Sequence, residues 1–386
     1  MAGILLVALN LRTAVTSVGA VLGEVRAALD MSGLVAGLVT TLPVVCFAVL
    51  GAPAAWLAAR LGAARVLGIA MLITAMGLAA RAVAGSAGVF LLASALALSG
   101  AAIGNVLLPL LVKENFPRHV GAMSALYTTA LAVGTAAAAG LTVPAQRALG
   151  GDWRIGLGLW AGLALVAVLP WLGLAGRTGS GARTRREAPS VLRSRLAWAL
   201  AVFFGCQSLN AYVVFGWLAQ VYRDAGLPGQ TANLLLAVVT AMAIPVSLLV
   251  PPLAARFPDQ RVLVVVTTAC YAAGYVGLIL APVAGAVVWA VLLGLGGGAF
   301  PLALTMIGLR TREPAVVGAL SGFVQSTGYL LAAAGPVTFG VLHAATGGWT
   351  VPVSLLLGVL VIQLVAGLFS GRARVVDDEL PAALAS

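Results

Sequence analysis

The sequence predicts an all-α membrane protein in which twelve transmembrane helices form two pseudo-symmetric six-helix bundles. Three observations carry this reading. Of the 386 residues, 61% are hydrophobic and 9% charged, whereas a soluble domain carries about 45–50% apolar and roughly 25% charged residues. The apolar stretches recur at close to the roughly 20 residues a helix needs to cross about 30 Å of hydrocarbon, so helices rather than strands are the spanning element. Three short motifs also return after about 196 residues, as from Leu57 to Leu253.

Charge, Gly and Pro clusters bound each helix in turn. The first, 4–24, is the apolar run from Ile4 to Gly23, closed by Glu24, Arg26 and Asp30. The second, 33–58, stops before Arg60, and the third, 66–83, opens after Arg65. The fourth, 88–111, stops before Lys113 and Glu114; the fifth, 121–143, lies between Arg118 and Arg147. Asp152 and Arg154 open the sixth, 154–175, which ends at Arg177. The seventh, 196–220, follows Arg195 and precedes Arg223 and Asp224; the eighth, 231–253, precedes Arg256. The ninth, 262–281, follows Asp259 and Arg261, and the tenth, 285–309, stops at Arg310. The eleventh, 316–340, follows Arg312 and Glu313, and the twelfth, 349–369, precedes Arg372. An even count puts both termini on one side.

Basic residues choose that side. Arg60, Arg65, Lys113, Arg118, Arg177, Arg183, Arg185, Arg186, Arg193, Arg195, Arg256, Arg261, Arg310, Arg312, Arg372 and Arg374 fall on the side of the termini. Only Arg26, Arg81, Arg147, Arg154 and Arg223 fall opposite. Lys and Arg accumulate in cytoplasmic loops, so both termini are expected inside a cytoplasmic (inner) membrane. The Arg-, Gly- and Ser-rich stretch 177–195 is then a cytoplasmic linker between a first bundle, 1–176, and a second, 196–370, with a tail at 371–386. The net charge of +11 is spent on this topology signal, and no nucleic-acid partner is expected. Cys46, Cys206 and Cys270 fall inside spans, give no disulfide framework and read as small packing residues. The chain starts almost inside its first span, so no cleavable leader is expected.

The repeat is explicit. Leu57-Ala58-Ala59-Arg60-Leu61 with Arg65-Val66-Leu67 returns as Leu253-Ala254-Ala255-Arg256-Phe257 with Arg261-Val262-Leu263. Gly121-Ala122-Met123-Ser124 returns as Gly318-Ala319-Leu320-Ser321, and Gly151-Asp152-Trp153 as Gly347-Gly348-Trp349. Such a duplication relates two halves by an axis along the membrane normal.

Twelve spans, the duplication, the basic linker and the arginine-bearing loop after the second span of each half resemble the major facilitator superfamily. The stretch Leu57-Ala58-Ala59-Arg60-Leu61-Gly62 is similar to its loop signature between helices 2 and 3, with Ala59 where the acid is expected and Ala55 where the first glycine is expected. Within the superfamily the chain resembles the cyanate porter family, which includes cyanate permeases and nitroimidazole transporters. Carrying this are Asn10-Leu11-Arg12 with Thr16-Ser17-Val18-Gly19, then Gly104-Asn105-Val106-Leu107-Leu108-Pro109 running to Lys113 and Phe116-Pro117. Gln207-Ser208-Leu209 with Tyr212 and Trp217-Leu218, Gln325-Ser326 with Gly328-Tyr329 and Gly335-Pro336, and Leu342-His343 with Thr346-Gly347-Gly348-Trp349 complete it. The sequence departs at Thr13, Ala20 and Ala219, where prolines are expected, and at Ala344, where an acid is expected. The resemblance implies a transporter working by alternating access, with helices 1, 4, 5, 7, 10 and 11 lining its pore.

Arg12 is the one basic residue that falls near the middle of a predicted span. A guanidinium there costs about 2.5–3.5 kcal/mol on insertion scales and marks a functional site. Shifted by 196 it lands on Ser208, so Arg12 breaks the duplication, unlike Arg60 and Arg65. All eleven acids, Glu24, Asp30, Glu114, Asp152, Glu187, Asp224, Asp259, Glu313, Asp377, Asp378 and Glu379, lie at span ends, in loops or in the tail. A buried cation without a midplane carboxylate favours an anion as its partner, and its planar fork of five donors suits carboxylate-like or small linear anions. The alternative is an arginine tied to backbone carbonyls or to Asn105. At about 100° per residue, Arg12, Thr16, Gly19 and Gly23 share one face, and the glycines are expected to admit a neighbouring helix.

Asn10, Asn105, Tyr127, Gln207, Tyr212, Gln325 and Tyr329 complete the expected solute-binding set, with Thr128, Asn210 and Trp217 as further candidates. Pro43, Pro53, Pro109, Pro245, Pro301 and Pro336 suggest where helices bend, and Gly296-Gly297-Gly298 permits close packing beside Pro301. The reading is a transporter of a small anionic or strongly polar solute, monomeric and without a cofactor, whose partners are that solute and the bilayer. An exporter of small neutral toxicants such as nitroimidazoles and a membrane sensor that kept the fold without flux are the alternatives. No Ser/His/Asp, metal-ligand or paired-carboxylate arrangement falls within the spans, so catalysis is not expected.

Overall fold

The computed structural model describes residues 1–175 and 190–380. The first bundle is built from α1a (Ala2–Leu11), α1b (Thr13–Ala28), α2 (Gly33–Leu61), α3 (Ala63–Ala82), α4 (Ala87–Asn115), α5 (Val120–Ala148) and α6 (Trp153–Ala175). The second holds α7 (Arg195–Asp224), α8a (Gly229–Ala241), α8b (Ala243–Arg256), α9 (Arg261–Leu280), α10a (Ala286–Gly296), α10b (Ala299–Leu309), α11 (Pro314–Thr346) and α12 (Thr350–Ser370). Among the described residues, eleven helices are long and apolar enough to cross a membrane, and the bent α2 makes a twelfth. Most run a few residues past their hydropathy limits, because caps keep the ends hydrogen-bonded. Ser86 Oγ accepts from Val89 N, and Ser194 Oγ from Ala197 N. Leu92, Val262 and Leu280 are about three-quarters exposed on the outer surface, as expected of side chains that meet lipid.

The breaks follow local chemistry. A proline lacks the N–H that would serve the carbonyl four residues back, which for Pro245 and Pro301 is Ala241 and Gly297. The two breaks, at Met242 and at Gly297-Gly298, sit there. Between Thr41–Gly51 and Pro53–Leu61, α2 bends by 48°. Through Pro109, in contrast, α4 runs on without a break. The break at Arg12 (φ −101°, ψ −14°) has no proline. There Thr13 Oγ1 donates to Asn10 O at 2.8 Å, and a hydroxyl bonded back to the preceding turn bends a helix.

Most of the basic linker lies outside the described residues; of it the structure describes the end, with the short turn Val191–Arg193 before α7. The described part of the tail is folded on the second bundle: Val376 is buried, Asp377 accepts from the Arg312 and Glu313 amides, and Glu379 accepts from Ser194 Oγ and Leu196 N. Arg81 does not belong to a loop. Its side chain is fully buried at the end of α3 and reaches α1b, so Arg12 is not alone among the spans.

Candidate functional site

The bundles meet along the half of the molecule where α1 starts and α12 ends, called here the terminal side. There Gly51 of α2 and Gly322 of α11 lie back to back: a Cβ on Gly322 would stand 2.8 Å from Gly51 O. At the second seam, between α5 and α8b, a Cβ on Gly121 would collide with Ala255 Cβ, and Thr128 Oγ1 approaches Ser247 O at 3.4 Å. Lys113 at the end of α4 donates to Gly308 O (3.1 Å) and Thr311 O (2.8 Å) beyond α10b. Toward the opposite side, α1b packs on α2, α4, α5 and α6, and α10a on α8 and α9, each within its own bundle. The broken helices differ along their length: α8b and α10b pack on the first bundle, whereas α8a touches it only lightly, at α5.

Where the seam ends, Arg12 begins. Arg12 is half-buried at the break of α1, and its side chain reaches across to the second bundle. The guanidinium carbon lies 5.3 Å from the ring centroid of Phe300 in α10b and beside the hydroxyls of Tyr212 in α7 and Tyr329 in α11. Tyr212 Oη is buried and has no well-aligned hydrogen bond. Behind it the wall is aromatic: Tyr329 stacks on Phe47 of α2 (5.0 Å) and meets Phe204 (5.1 Å) and Tyr212 (6.3 Å) edge-on. Above Arg12, Gly19 and Gly23 are exposed, and a Cβ added to either would meet nothing within 4 Å. The expectation that they admit a neighbouring helix is overturned: among the described residues none approaches α1b at these glycines.

Asn105 and Gln325 form the floor. Asn105 Nδ2 donates to Gln325 Oε1 (2.6 Å) and approaches Tyr329 Oη (3.4 Å), while Gln325 Nε2 donates to Ser321 Oγ (2.9 Å) and Asn105 O (3.3 Å). Ser321 Oγ in turn donates to Val106 O at 2.7 Å. Both amides are buried, so they close the bundles together rather than tying down Arg12. Gln325→Leu leaves the Asn105 amide without its partner at a cost of about 1–3 kcal/mol, borne by the conformer closed on the terminal side. Spin labels at Arg118 and Arg256, exposed on opposite sides of the α5–α8b seam, will show a longer distance in this variant; an unchanged distribution contradicts the role.

The other expected site residues lie apart from Arg12's contacts. Asn10 is turned away, donating to Leu6 O (2.8 Å) and Leu163 O of α6 (3.3 Å). Gln207 is buried and accepts from Ser208 Oγ. Tyr127 is buried in α5 with its hydroxyl unpaired. Asn210 bonds Tyr275 and Gln363 inside the second bundle, and Trp217 donates to Pro336 O. Phe300, Phe204, Phe47 and Ser321 were not expected; only Phe300 had a local signal, in the three glycines before it.

The sequence matches the Major Facilitator Superfamily over residues 4–336. The chain belongs to the major facilitator superfamily. An uncharacterized transporter of Bacillus subtilis (strain 168), YycB, is 38% identical over 379 residues, 96% of this chain and 93% of its own. The 2-nitroimidazole transporter of Escherichia coli (strain K12) is 36% identical over 384 residues, covering 97% and 95%. The cyanate transport protein CynX of the same organism is 31% identical over 367 residues, covering 94% and 95%. These relatives place the chain in the cyanate porter branch of the superfamily. Among solved structures, the proton:xylose symporter XylE bound to 6-bromo-6-deoxy-D-glucose shares the fold with a TM-score of 0.79 at 13% identity, covering 98% of this chain and 97% of its own.

Proposed function

We propose that this major facilitator protein is a secondary active transporter of a small anionic or strongly polar solute, cyanate-like or small carboxylate-like, and that Arg12 recognises the solute's charge. One observation carries the reading: a half-buried arginine deep in the molecule whose guanidinium is met by phenols and an aromatic ring, with no carboxylate among its described contacts. Such a cation is completed by an anion entering from the open side. Tyr212, whose hydroxyl lies beside the guanidinium, supplies a second donor. Asn105, Gln325 and Tyr329 lie at the boundary of site and seam and separate when access changes sides. Asn10, Tyr127 and Gln207 act at a distance from Arg12, through packing of the lining helices.

The same wall of Phe300, Tyr329 and Tyr212 also supports the second reading, export of a small neutral aromatic compound, as in the relative named for 2-nitroimidazole. The arginine distribution supports both termini, the linker 177–195 and the tail 371–386 on the cytoplasmic face of a cytoplasmic (inner) membrane, with the open side outward. Two bundles, 1–176 and 196–370, then rock about the site in one monomer. Flux of radiolabelled cyanate and benzoate into proteoliposomes tests transport itself. Saturable uptake that empties on reversing the gradient is expected; saturable binding without flux under any gradient makes the protein a sensor instead.

A further inference from the structure

Arg81 is fully buried, and nothing in the site described above uses it. Its Cα lies in the last turn of α3, but helical side chains point back toward their own N-terminus, which carries the guanidinium to the depth of Ala14 and Ser17. There Nη1 donates to Ala14 O at 2.8 Å and Nη2 to Ser17 Oγ at 3.2 Å. The Phe90 ring lies 5.9 Å away, and Nε is buried without a partner. All these neighbours are neutral.

On α1b, Ala14 and Ser17 stand at about 200° and 140° from Arg12, the back of the helix, where Val18, Val21 and Val25 are also buried. Helix 1 therefore stands between two guanidinium groups, Arg12 on the side of Phe300 and Arg81 behind. A clamp between α3 and α1b needs only a neutral donor. A guanidinium keeps its charge, and burying that charge without a counter-ion is costly. An anion resting on Arg12 is what the extra positive charge would stabilise.

We infer that Arg81 is a concealed second cation of the anion site, raising its positive potential through helix 1 without touching the solute. This rests on the reading of Arg12 as the anion-recognising residue. At about 10 Å, the thickness of a helix, and an effective dielectric near 20, one unit charge changes the local concentration of a monovalent anion roughly tenfold. Arg81 is a specificity-determining residue of this kind, acting on charge rather than on shape.

The potential is measurable without knowing the solute. Gly19 has open space for a side chain on the Arg12 face, so Gly19→Cys, with Cys46, Cys206 and Cys270 replaced by serine, places a thiol in the field of both arginines. Rates of modification by sulfonatoethyl and trimethylammonioethyl methanethiosulfonate at low ionic strength give an anion-to-cation ratio. Arg81→Gln should lower this ratio at least tenfold, and Arg81→Lys should keep most of it. Ser17→Asp, which neutralises Arg81 in place while keeping the clamp, should lower it as Arg81→Gln does, and so serves if Arg81→Gln fails to fold. Arg12→Gln is the reference. A ratio that falls with Arg12→Gln but not with Arg81→Gln or Ser17→Asp overturns the inference and leaves Arg81 a clamp. A ratio that neither arginine moves overturns the Arg12 reading beneath it as well.

Discussion

Arg12→Ala will weaken the apparent affinity for anionic solutes at least about thirtyfold, because truncating one partner of a buried, hydrogen-bonded charge pair costs about 2–5 kcal/mol. Arg12→Lys will recover part of this, since an ammonium supplies charge but not a planar fork. A neutral isostere of the same size will be affected far less by either change. The measurement is uptake against concentration in proteoliposomes of matched protein content, with the alanine and lysine variants side by side. Equal losses for the anion and its neutral isostere would mean that Arg12 shapes the site and does not read charge.

Gly322→Leu will hold the protein open on the terminal side and abolish exchange. A Cβ at this position already stands 2.8 Å from Gly51 O and 3.2 Å from Ala55 Cβ, and backbone cannot swing aside as a side-chain end can. Overpacking costs about 1–3 kcal/mol even where a core can relax, and here the simplest relaxation is to part the bundles. The Arg118–Arg256 label pair should report a single long distance, and solute counterflow should fall to the level of empty vesicles. Gly121→Leu, at the α5–α8b seam, should act in the same direction. A variant that keeps both the short distance and exchange would show that this seam does not have to re-form in the cycle.

Hydropathy and charge revealed the twelve helices because length and apolar content are local properties, and the 196-residue repeat paired α1–α6 with α7–α12 without any structural information. The directions of side chains were not legible in this way. Asn10 and Asn105 are both amides within spans, yet one is turned to Leu163 O and the other joins the seam with Gln325. Arg81 has the sequence position of a loop charge, and only the backward slant of its side chain brings it to mid-span depth. Phe300, Phe47 and Phe204 looked like three more apolar residues until the helices brought Phe47 and Phe204 onto Tyr329 and Phe300 onto Phe204. Proline located two of the three breaks. The third needed Thr13 and Asn10 read together, since a hydroxyl and a carbonyl three residues apart do there what proline does elsewhere.

Two features of α1 set the site. Its back, Ala14 to Val25, is fixed against the first bundle and carries the Arg81 contacts. Its front carries Arg12 at the break and two exposed glycines above it. The central claim is that this charge binds the solute's own. It is tested most directly by the structure of the protein with a small brominated carboxylate that it transports. The carboxylate oxygens should lie about 3 Å from the Arg12 guanidinium nitrogens, with Tyr212 Oη as a further donor. A carboxylate bound elsewhere, with Arg12 still held only by Tyr212 and Tyr329, would contradict the account.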